Sequence, residues 1–378
     1  MRILFIGARL FDDVTLYTRR NAIETIITES NSESTNLDIA DKFYVVSRGM
    51  EEPMEIAIKE EVDGVVPLIG VDGPLVEIAK MKEALREDYG IPVAASGLNA
   101  ASICADKCLT KEFFIKNNIK TPESFIVSQK DYQKILPKMF SNQRPVVLKQ
   151  EQGQGGSGIK IVSSMNEAEE YFNIFKSSMA EEYIDGIEVS IEVLRWHGKT
   201  IPLVPVYKGE TSIEGIHPLK KLKKAPLNIE GIDNGKNNRE IQEIAVKIAE
   251  TMNIEGTADI DIIFNKDDEA NYVIEVNARP SGTRYITGAA SDVNILQELI
   301  KMASGTWNPY KLQNRIKKYS AIEIPVGNYV SNKNNYNFRE FSNKNSWIIH
   351  GPENHERVTI REKSIECAIK KAEKLKIM

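Results

Sequence analysis

The sequence predicts an α/β protein made of two or three lobes, and three observations support this. The chain has 378 residues, more than a small single domain usually contains. Short apolar runs alternate with helical patterns over about the first 95 residues, as in parallel βαβ units. Farther along, apolar runs come in pairs separated by polar turns, which is typical of antiparallel strands.

The first part of the chain is predicted to form a small doubly wound lobe. A strand is expected at residues 3–6, followed by a helix-like stretch. Further strands are expected at 43–46, 65–69 and 91–94, with a helix at 74–87 before the last of them. The segment has no G-x-G-x-x-G pattern, so it does not predict a dinucleotide site.

In the rest of the chain, most strands are predicted to pair as antiparallel hairpins, with helices between them. One helix is expected over residues 99–117, ending before Thr121-Pro122. Strands 145–149 and 159–162 form a hairpin, 179–184 and 188–193 are joined by a turn at Asp185-Gly186, and 259–264 pairs with 272–276. The remaining expectations are a helix at 239–252, an Asn- and Lys-rich loop at 332–345, a strand at 358–360 and a closing helix at 364–374.

Composition excludes several classes of function. The formal net charge is −5, so the whole chain carries no electrostatic footprint for nucleic acid. The three cysteines include no C-x-x-C pair, which argues against a zinc site or a disulfide framework. The first residues lack a signal-peptide pattern, and no apolar stretch approaches the roughly 20 residues that span a bilayer. We therefore expect a cytoplasmic protein that binds no membrane.

A glycine-rich segment at residues 153–158 follows Lys149 by four positions and lies between two predicted strands. Glycines let backbone N–H groups approach a polyanion without obstruction by side chains. The segment is not a P-loop, which needs G-x-x-x-x-G-K-[ST] and a following helix. A flexible hairpin tip and a phosphate-binding loop both fit the glycines, and the lysine favours phosphate.

A second group of polar residues lies on the predicted hairpin 259–264/272–276. Glu275 and Asn277 are two residues apart, so they point to the same side of their strand, where Asp261 of the partner strand can meet them. Two carboxylates and an amide oxygen suit magnesium, which typically takes one or two carboxylates plus nucleotide phosphates. Asp259 could replace Asp261 if the strand register differs by two residues.

The third group is the segment E-E-Y-I-D-G-I-E, from Glu181 to Glu188. Backbone groups between two strands could contact an adenine edge, and a carboxylate beyond the turn could bind a ribose hydroxyl. When these residues are considered alone, an ordinary acidic hairpin is the better explanation.

In this order along the chain, the motifs resemble those of the ATP-grasp superfamily, and the resemblance is nearest to its carbamoyl-phosphate-synthase-like and amino-acid-ligase branches. The pattern is a lysine in an early helix, a lysine before a glycine-rich loop, the E-E-Y-I-x-G-x-E segment, and D-x13-E-V-N-x-R. The resemblance implies that ATP lies between two α+β lobes behind a Rossmann-like N-terminal domain. The implied domains are 1–97 (N-terminal), 98–180 (small lobe), 181–308 (large lobe with the metal site) and 309–378 (a C-terminal segment on the large lobe).

The resemblance also implies roles for individual residues. The magnesium ligands, which could also hold manganese, would be Asp261, Glu275 and Asn277. Arg279 would lie beside the γ-phosphate. The residues implied in binding ATP are Lys107, Lys149, Gly155, Gly156, Ser157, Gly158, Glu181, Glu182, Tyr183, Ile184 and Glu188.

Several residues are candidates for the substrate side of the site. Arg279 and Arg284 follow the metal strand and could hold a carboxylate, although one of two such arginines could instead make a structural ion pair. Asp72 follows a predicted strand of the first lobe, at the end where open α/β sheets bind ligands. Weaker candidates are Glu214 and His217 in a glycine-containing loop. For the basic run Lys220, Lys221, Lys223 and Lys224 we expect a solvated face, although the resemblance allows one of these lysines to reach the nucleotide phosphates.

The resemblance implies an ATP- and magnesium-dependent ligase that joins a small carboxylate to an amine through an acyl phosphate. Its partners would be ATP and these two small molecules, without nucleic acid or membrane, and relatives of this kind are often homodimers. One alternative is a carboxylase or carbamoyl-phosphate-type enzyme that uses bicarbonate. Another is a nucleotide-binding scaffold without chemistry. The sequence identifies neither the carboxylate nor the amine.

Overall fold

The structure, a computed structural model, describes residues 1–140, 144–151, 158–214, 220–327, 340–342, 344–351 and 354–378. Three of the predicted loop residues for ATP, Gly155, Gly156 and Ser157, lie outside this part of the chain, as do His217 and most of 332–345. Gly158 is described and has a positive φ of 71°. The described residues form three sheets.

The N-terminal part is a four-stranded sheet in the order β3-β2-β1-β4, and all its strand pairs are parallel. This pairing confirms the predicted doubly wound lobe. The prediction missed β2, and residues 91–94 contribute only an isolated bridge between Val65 and Val93 instead of a strand. The elements are β1 (Arg2–Ile6), α1 (Thr15–Arg20), β2 (Glu24–Glu29), β3 (Lys42–Val45), α2 (Glu51–Lys59), β4 (Gly64–Pro67) and α3 (Leu75–Tyr89).

The helix expected over 99–117 is two helices, α4 (Leu98–Ala105) and α5 (Lys107–Lys116). Asp106 separates them because its backbone is extended, with φ −129° and ψ 117°. Its side chain accepts hydrogen bonds from the backbone N–H groups of Cys108 and Leu109, as an N-cap residue does. Lys107 is therefore the first residue of the second helix.

The small lobe contains an antiparallel sheet in the order β5-β8-β6-β7 with two helices packed on it. The predicted hairpin around the glycine-rich segment is confirmed, with Lys149 opposite Ile159. Val127, Leu148, Phe172 and Ala180 belong to a core that the lobe forms by itself. Its elements are β5 (Ser124–Ser128), α6 (Tyr132–Met139), β6 (Val146–Lys149), β7 (Ile159–Val162), α7 (Met165–Phe172) and β8 (Ser177–Glu182).

The large lobe is built on a nine-stranded sheet in the order β14-β13-β9-β11-β12-β15-β17-β16, with β10 paired to β9. The hairpin predicted for 259–264 and 272–276 is confirmed as β13 and β14. The C-terminal strands β15 to β17 continue this same sheet. The elements are β9 (Ile187–Trp196), β10 (Lys199–Pro202), β11 (Val206–Glu210), β12 (Lys223–Ala225), α8 (Asn234–Thr251), β13 (Gly256–Asn265), β14 (Ala270–Asn277), α9 (Arg284–Ser291), α10 (Ile295–Ala303), α11 (Pro309–Arg315), β15 (Ser320–Gly327), β16 (Trp347–His350), β17 (Glu356–Glu362) and α12 (Ile365–Lys374).

The turn predicted at Asp185-Gly186 does not close a hairpin. The strands on its two sides belong to different sheets, β8 to the small lobe and β9 to the large lobe. A Cβ atom on Gly186 would lie 3.0 Å from the carbonyl carbon of Phe264 and closer still to its oxygen. Glycine is therefore needed where the chain crosses between the lobes, because the crossing presses against the backbone of β13.

The N-terminal sheet and the large sheet share one apolar core. Phe5 and Val66 of the first sheet lie in the same buried cluster as Leu194 of β9 and Leu299 of α10. The shared core holds the carboxyl ends of β1 and β4 beside the large sheet. None of the helices among the described residues is long and apolar enough to cross a membrane.

Close packing at Gly64, where β4 begins, predicts a specific stability effect. A Cβ atom there would lie 2.8 Å from the carbonyl carbon of Ala303 at the end of α10, so a side chain must push strand and helix apart. We expect Gly64→Ala to lower the free energy of unfolding by about 1–3 kcal/mol, as overpacking usually does. Urea denaturation measures the effect. The control is Gly73→Ala, whose Cβ would meet nothing within 4 Å. Equal stability of the two variants would contradict the packing argument.

Candidate functional site

The predicted metal residues lie on neighbouring strands of the large sheet and on one face of it. The register places Asp261 of β13 opposite Glu275 of β14, and Asp259 opposite Asn277. Residues directly opposite in a ladder project to the same side of the sheet. The alternate residues of β13, Ile260 and Ile262, are buried in an apolar core on the other side. The alternation therefore gathers the carboxylates on one face.

Two lysines accompany the predicted metal carboxylates. The Nζ atom of Lys208, on β11, donates a hydrogen bond of 2.5 Å to Oδ1 of Asp261. Lys107, at the start of α5, places its Nζ 3.9 Å from Oε1 of Glu275. Burial raises the pKa of Glu275, while the charge of Lys107 and, more weakly, that of Lys149 act in the opposite direction. Lys149 of the small lobe therefore lies near enough to Glu275 of the large lobe for the two charges to interact.

Glu181 forms a buried charge cluster with two lysines. Its carboxylate pairs with Lys149 at the end of β6 and with Lys111 of α5. Burial by itself raises the pKa of Glu181, but the two lysine charges outweigh it, and the carboxyl pKa ends below its ordinary value. Glu181, which the resemblance places among the ATP-binding residues, thus holds two lysines in place in this structure. One of them is the predicted phosphate ligand Lys149.

The other predicted nucleotide residues lie along the crossing between the lobes. Oε1 of Glu182 accepts from Arg144 at 3.0 Å, and its backbone N–H donates to Glu123 at 2.8 Å. Ile184 is buried, and Tyr183 donates its backbone N–H to the carbonyl of Pro145. Glu188, the predicted ribose ligand, forms an ion pair of 2.7 Å with Lys221.

The basic run at residues 220–224 is only partly solvated. Lys221 and Lys223 are buried and point inward, where Lys223 pairs with Glu323 at 2.5 Å. Lys220 is exposed. The expectation of a wholly solvated face is therefore wrong, because the segment leads into β12 and its residues alternate between the two faces.

The two arginines after the metal strand are each held by an aspartate of the N-terminal lobe. Arg279 makes two hydrogen bonds with Asp72, of 2.5 and 3.1 Å, and donates to Oδ1 of Asn277 at 3.0 Å. Arg284 pairs with Asp13 at 2.9 Å. Both aspartates follow the carboxyl ends of N-terminal strands, so the first lobe orients both arginines.

A pair of buried carboxyl groups lies beside the predicted metal residues on the same sheet. Glu192 of β9 is the register partner of Asp259, and both are less than a tenth exposed. Burial, reinforced by the charge of Asp259, raises the pKa of Glu192 to about 8. Burial, reinforced by the charge of Asp261, raises the pKa of Asp259 to about 6. Ser281 donates a hydrogen bond of 2.8 Å to Glu192.

The predicted metal residues supply only part of the ligand set that a divalent cation needs. The described residues contain no group of three or more His, Cys, Asp or Glu side chains that could hold a metal ion. Asp261, Glu275 and Asn277 instead offer two carboxylates and an amide oxygen. This set is too small for a cation held by protein alone, but it fits magnesium that also binds phosphate oxygens.

Sequence reasoning missed the partners of several of these groups, although both members of four pairs, such as Arg279 and Asp72, were among the candidates. Lys111 and Lys208 were not singled out, and neither was Asp13. A weak signal existed for Lys111, which lies four residues after Lys107 and so shares its side of a helix. No comparable signal marked Lys208 or Asp13, because their partners are more than 50 residues away in the chain.

Comparison with known proteins gives one family match. The model of the ATP-grasp domain matches residues 104–283. This range begins just before Lys107 and ends just after Arg279, so it includes the lysines of both lobes and the metal strands.

Individual relatives extend this match over the whole chain. A carbamoyl-phosphate synthase of Methanobrevibacter smithii is 47% identical over 97% of this chain and 97% of its own length. A carbamoyl phosphate synthase large chain of Thermoplasma volcanium is 25% identical over 83% of this chain, which corresponds to 30% of the large chain. Among solved structures, the L-amino acid ligase of Bacillus licheniformis has a TM-score of 0.76 at 18% identity, covering 99% of this chain and 96% of its own.

The raised pKa of Glu192 predicts how stability changes with pH. A carboxyl group whose pKa is higher in the folded than in the unfolded protein favours the folded state most below its unfolded pKa of about 4.5. This contribution to the free energy of unfolding is lost as the pH rises towards about 8. Glu192→Gln removes the charge, so we expect the variant to exceed the wild type in stability by at least about 1 kcal/mol above pH 8. Near pH 4.5 the two should be similar.

Denaturation with urea across this pH range measures the difference. The control is Glu243→Gln on α8, where the glutamate is exposed and the stability difference should not depend on pH in this way. A constant difference between Glu192→Gln and the wild type at all pH values would contradict the assignment.

Proposed function

Because this chain belongs to the ATP-grasp superfamily, in its carbamoyl-phosphate-synthase-like branch, we propose that it joins a small carboxylate to an amine with ATP and magnesium. The chain is an enzyme of the ligase class that forms carbon–nitrogen bonds. The more specific proposal is an amide or peptide bond made through an acyl phosphate, with an amino acid or a similar small metabolite as substrate.

One observation carries this proposal. The lysines at the start of α5 and at the end of β6 act on the carboxylate of Glu275, which lies on the large sheet. A cation of the small lobe, a cation of α5 and the magnesium-type ligands of the large sheet therefore face the same space. Such a space suits a polyphosphate with a bound divalent cation, because each negative group then has a positive neighbour.

The residues divide the proposed work among them. Lys107 and Lys149 would bind phosphate oxygens, and Asp261, Glu275 and Asn277 would hold magnesium, which offsets charge on the transferred phosphoryl group. The register supports Asp261 over Asp259, because Asp261 lies directly opposite Glu275 while Asp259 is buried against Ser190. Arg279, oriented by Asp72, would steady the acyl phosphate.

The proposed reaction has two steps. A carboxylate oxygen of the substrate attacks the γ-phosphorus of ATP, and the bond to the β–γ bridging oxygen breaks, which gives an acyl phosphate and ADP. The amine then attacks the acyl carbon, loses a proton, and expels phosphate. Positioning and charge stabilisation suffice for both steps, so the protein need not supply a covalent nucleophile.

A second candidate, a carbamoyl-phosphate-type reaction, is favoured by the name of the relative that is 47% identical over almost the whole chain. Bicarbonate would replace the organic carboxylate in the first step, and the same lysines and metal residues would serve. Ammonia would then displace phosphate to give carbamate, and a second ATP would phosphorylate carbamate. The two candidates therefore differ in the carboxyl group that receives phosphate and in the number of ATP molecules consumed. The third reading, a scaffold without turnover, is disfavoured because the complete set of lysines, metal ligands and Arg279 is present.

Removal of one metal-binding charge tests the metal site. We expect Glu275→Gln to lower magnesium-dependent turnover by roughly 100-fold or more, because the side chain keeps its size but loses the charge that holds the cation. Phosphate release at several magnesium concentrations measures the effect. Asp267→Asn, an exposed acid at the turn between β13 and β14, is the matched control. Unchanged turnover in Glu275→Gln would remove the metal assignment.

A substrate screen distinguishes the candidate reactions. Purified protein with ATP and magnesium is incubated with pairs of amino acids, polyamines and hydroxy acids, and separately with bicarbonate and ammonia. A ligase should release phosphate well above background only when the correct carboxylate and amine are both present, and mass spectrometry should find the amide. Dependence on bicarbonate alone would favour the second candidate. ATP binding without turnover on any pair would favour the scaffold.

A further inference from the structure

Lys208 has no role in the scheme above, although it makes a direct contact with a proposed metal ligand. Its side chain is 14% exposed and its Nζ lies 2.5 Å from Oδ1 of Asp261. Asp259 and Glu188 also act on its charge, so three acids surround one ammonium group. Lys208 therefore offsets part of the negative charge on this face of the sheet.

The backbone delivers Lys208 to this position through a local irregularity. In the pairing of β11 with β9, Val206 lies opposite Ser190 and Tyr207 opposite Val189, but the next pair joins Glu210 to Ile187. One extra residue is therefore inserted on β11, as in a β-bulge, which re-aims neighbouring side chains. Gly209 has a φ of 105° within this bulge. Strand geometry thus directs the ammonium group at Asp261.

We infer that Lys208 takes the place of the metal ion until magnesium binds. It pairs with Asp261 before magnesium binds and moves to the phosphate groups of ATP afterwards. This inference rests on the proposed function, since it needs Asp261 to be a metal ligand. Two positive charges on one carboxylate oxygen repel each other, so the ammonium and the divalent cation compete for Asp261. A lysine can leave such a site because its four-carbon stem rotates freely and its charge is compact.

The exchange makes nucleotide and metal depend on each other. Metal without nucleotide must displace Lys208 from Asp261 while supplying no additional anion for it, which weakens the binding of the metal. Nucleotide phosphates supply that anion, so Lys208 gains a partner as Asp261 becomes available. By linkage, each ligand then strengthens the other by the same factor, and Lys208 carries part of that coupling.

The test compares metal affinity with and without nucleotide. Mn²⁺ binding is followed by electron paramagnetic resonance, alone and with a non-hydrolysable ATP analogue, at mildly alkaline pH, for the wild type, Lys208→Met and Lys208→Arg. We expect Lys208→Met to bind Mn²⁺ alone about tenfold more tightly than the wild type, because a competing charge is gone. The same variant should bind the analogue more weakly and turn over at least about tenfold more slowly. Lys208→Arg should resemble the wild type in Mn²⁺ binding.

These opposite signs separate an exchange from a structural role. If Lys208 only held Asp261 in position, Lys208→Met would bind Mn²⁺ alone more weakly or unchanged, and either result would overturn the inference. Lys120→Met is the control. Lys120 forms an ion pair of 2.9 Å with Asp268, outside the proposed metal site, so its replacement should change neither affinity. Glu275→Gln locates the Mn²⁺. If Glu275→Gln leaves Mn²⁺ binding intact, the proposed metal site is wrong. If Glu275→Gln abolishes Mn²⁺ binding but Lys208→Met binds Mn²⁺ as the wild type does, only the exchange is refuted.

Discussion

Burial of carboxylates on one face of the large sheet is the constraint on which the rest of the site depends. The pairing of β9, β13 and β14 places Glu192, Asp259, Asp261 and Glu275 side by side. Unpaired charges in such a place are costly, so each needs a cation or a proton. Lysines from the small lobe, α5 and β11 meet part of this need, and the raised pKa of Glu192 meets another part. The positions of Lys107 and Lys208 follow from this need.

The N-terminal lobe is linked to the same face of the large sheet by two ion pairs. β14 is followed by Arg279 and Arg284, whose partners Asp72 and Asp13 both come from the first lobe. The apolar core shared by the two sheets keeps these aspartates in place. The first lobe therefore acts as a rigid support for the two arginines, and packing in the shared core contributes to their alignment.

Local pattern predicted much of the fold and of the metal strands, and the ATP-grasp fold is confirmed. Period-two alternation along β13 and β14 was sufficient to bring Asp261, Glu275 and Asn277 together. The crossing at Asp185-Gly186 was misread because a turn dipeptide has the same form whether its strands pair or separate. The roles of Lys111 and Lys208 could not be predicted, since an ion pair between distant segments leaves no periodic trace. The roles of the nucleotide residues, including Glu181, stay predictions.

The crossing from β8 to β9 has a mechanical consequence. Gly186 is pressed against the backbone of β13, while the small lobe has an apolar core of its own. The chain also enters this lobe beside the large sheet, where the backbone and side chain of residues 120–121 are hydrogen-bonded to Val273 of β14. A lobe that is tied at these two neighbouring crossings and packed separately can turn about an axis through them. Residues beside the axis, such as Ile184, would then hardly move, whereas Lys149 would travel through a wider arc. A long ligand between the lobes would then keep the same contacts at its end near the axis, and the contacts at its other end would form only when the lobe turns towards it.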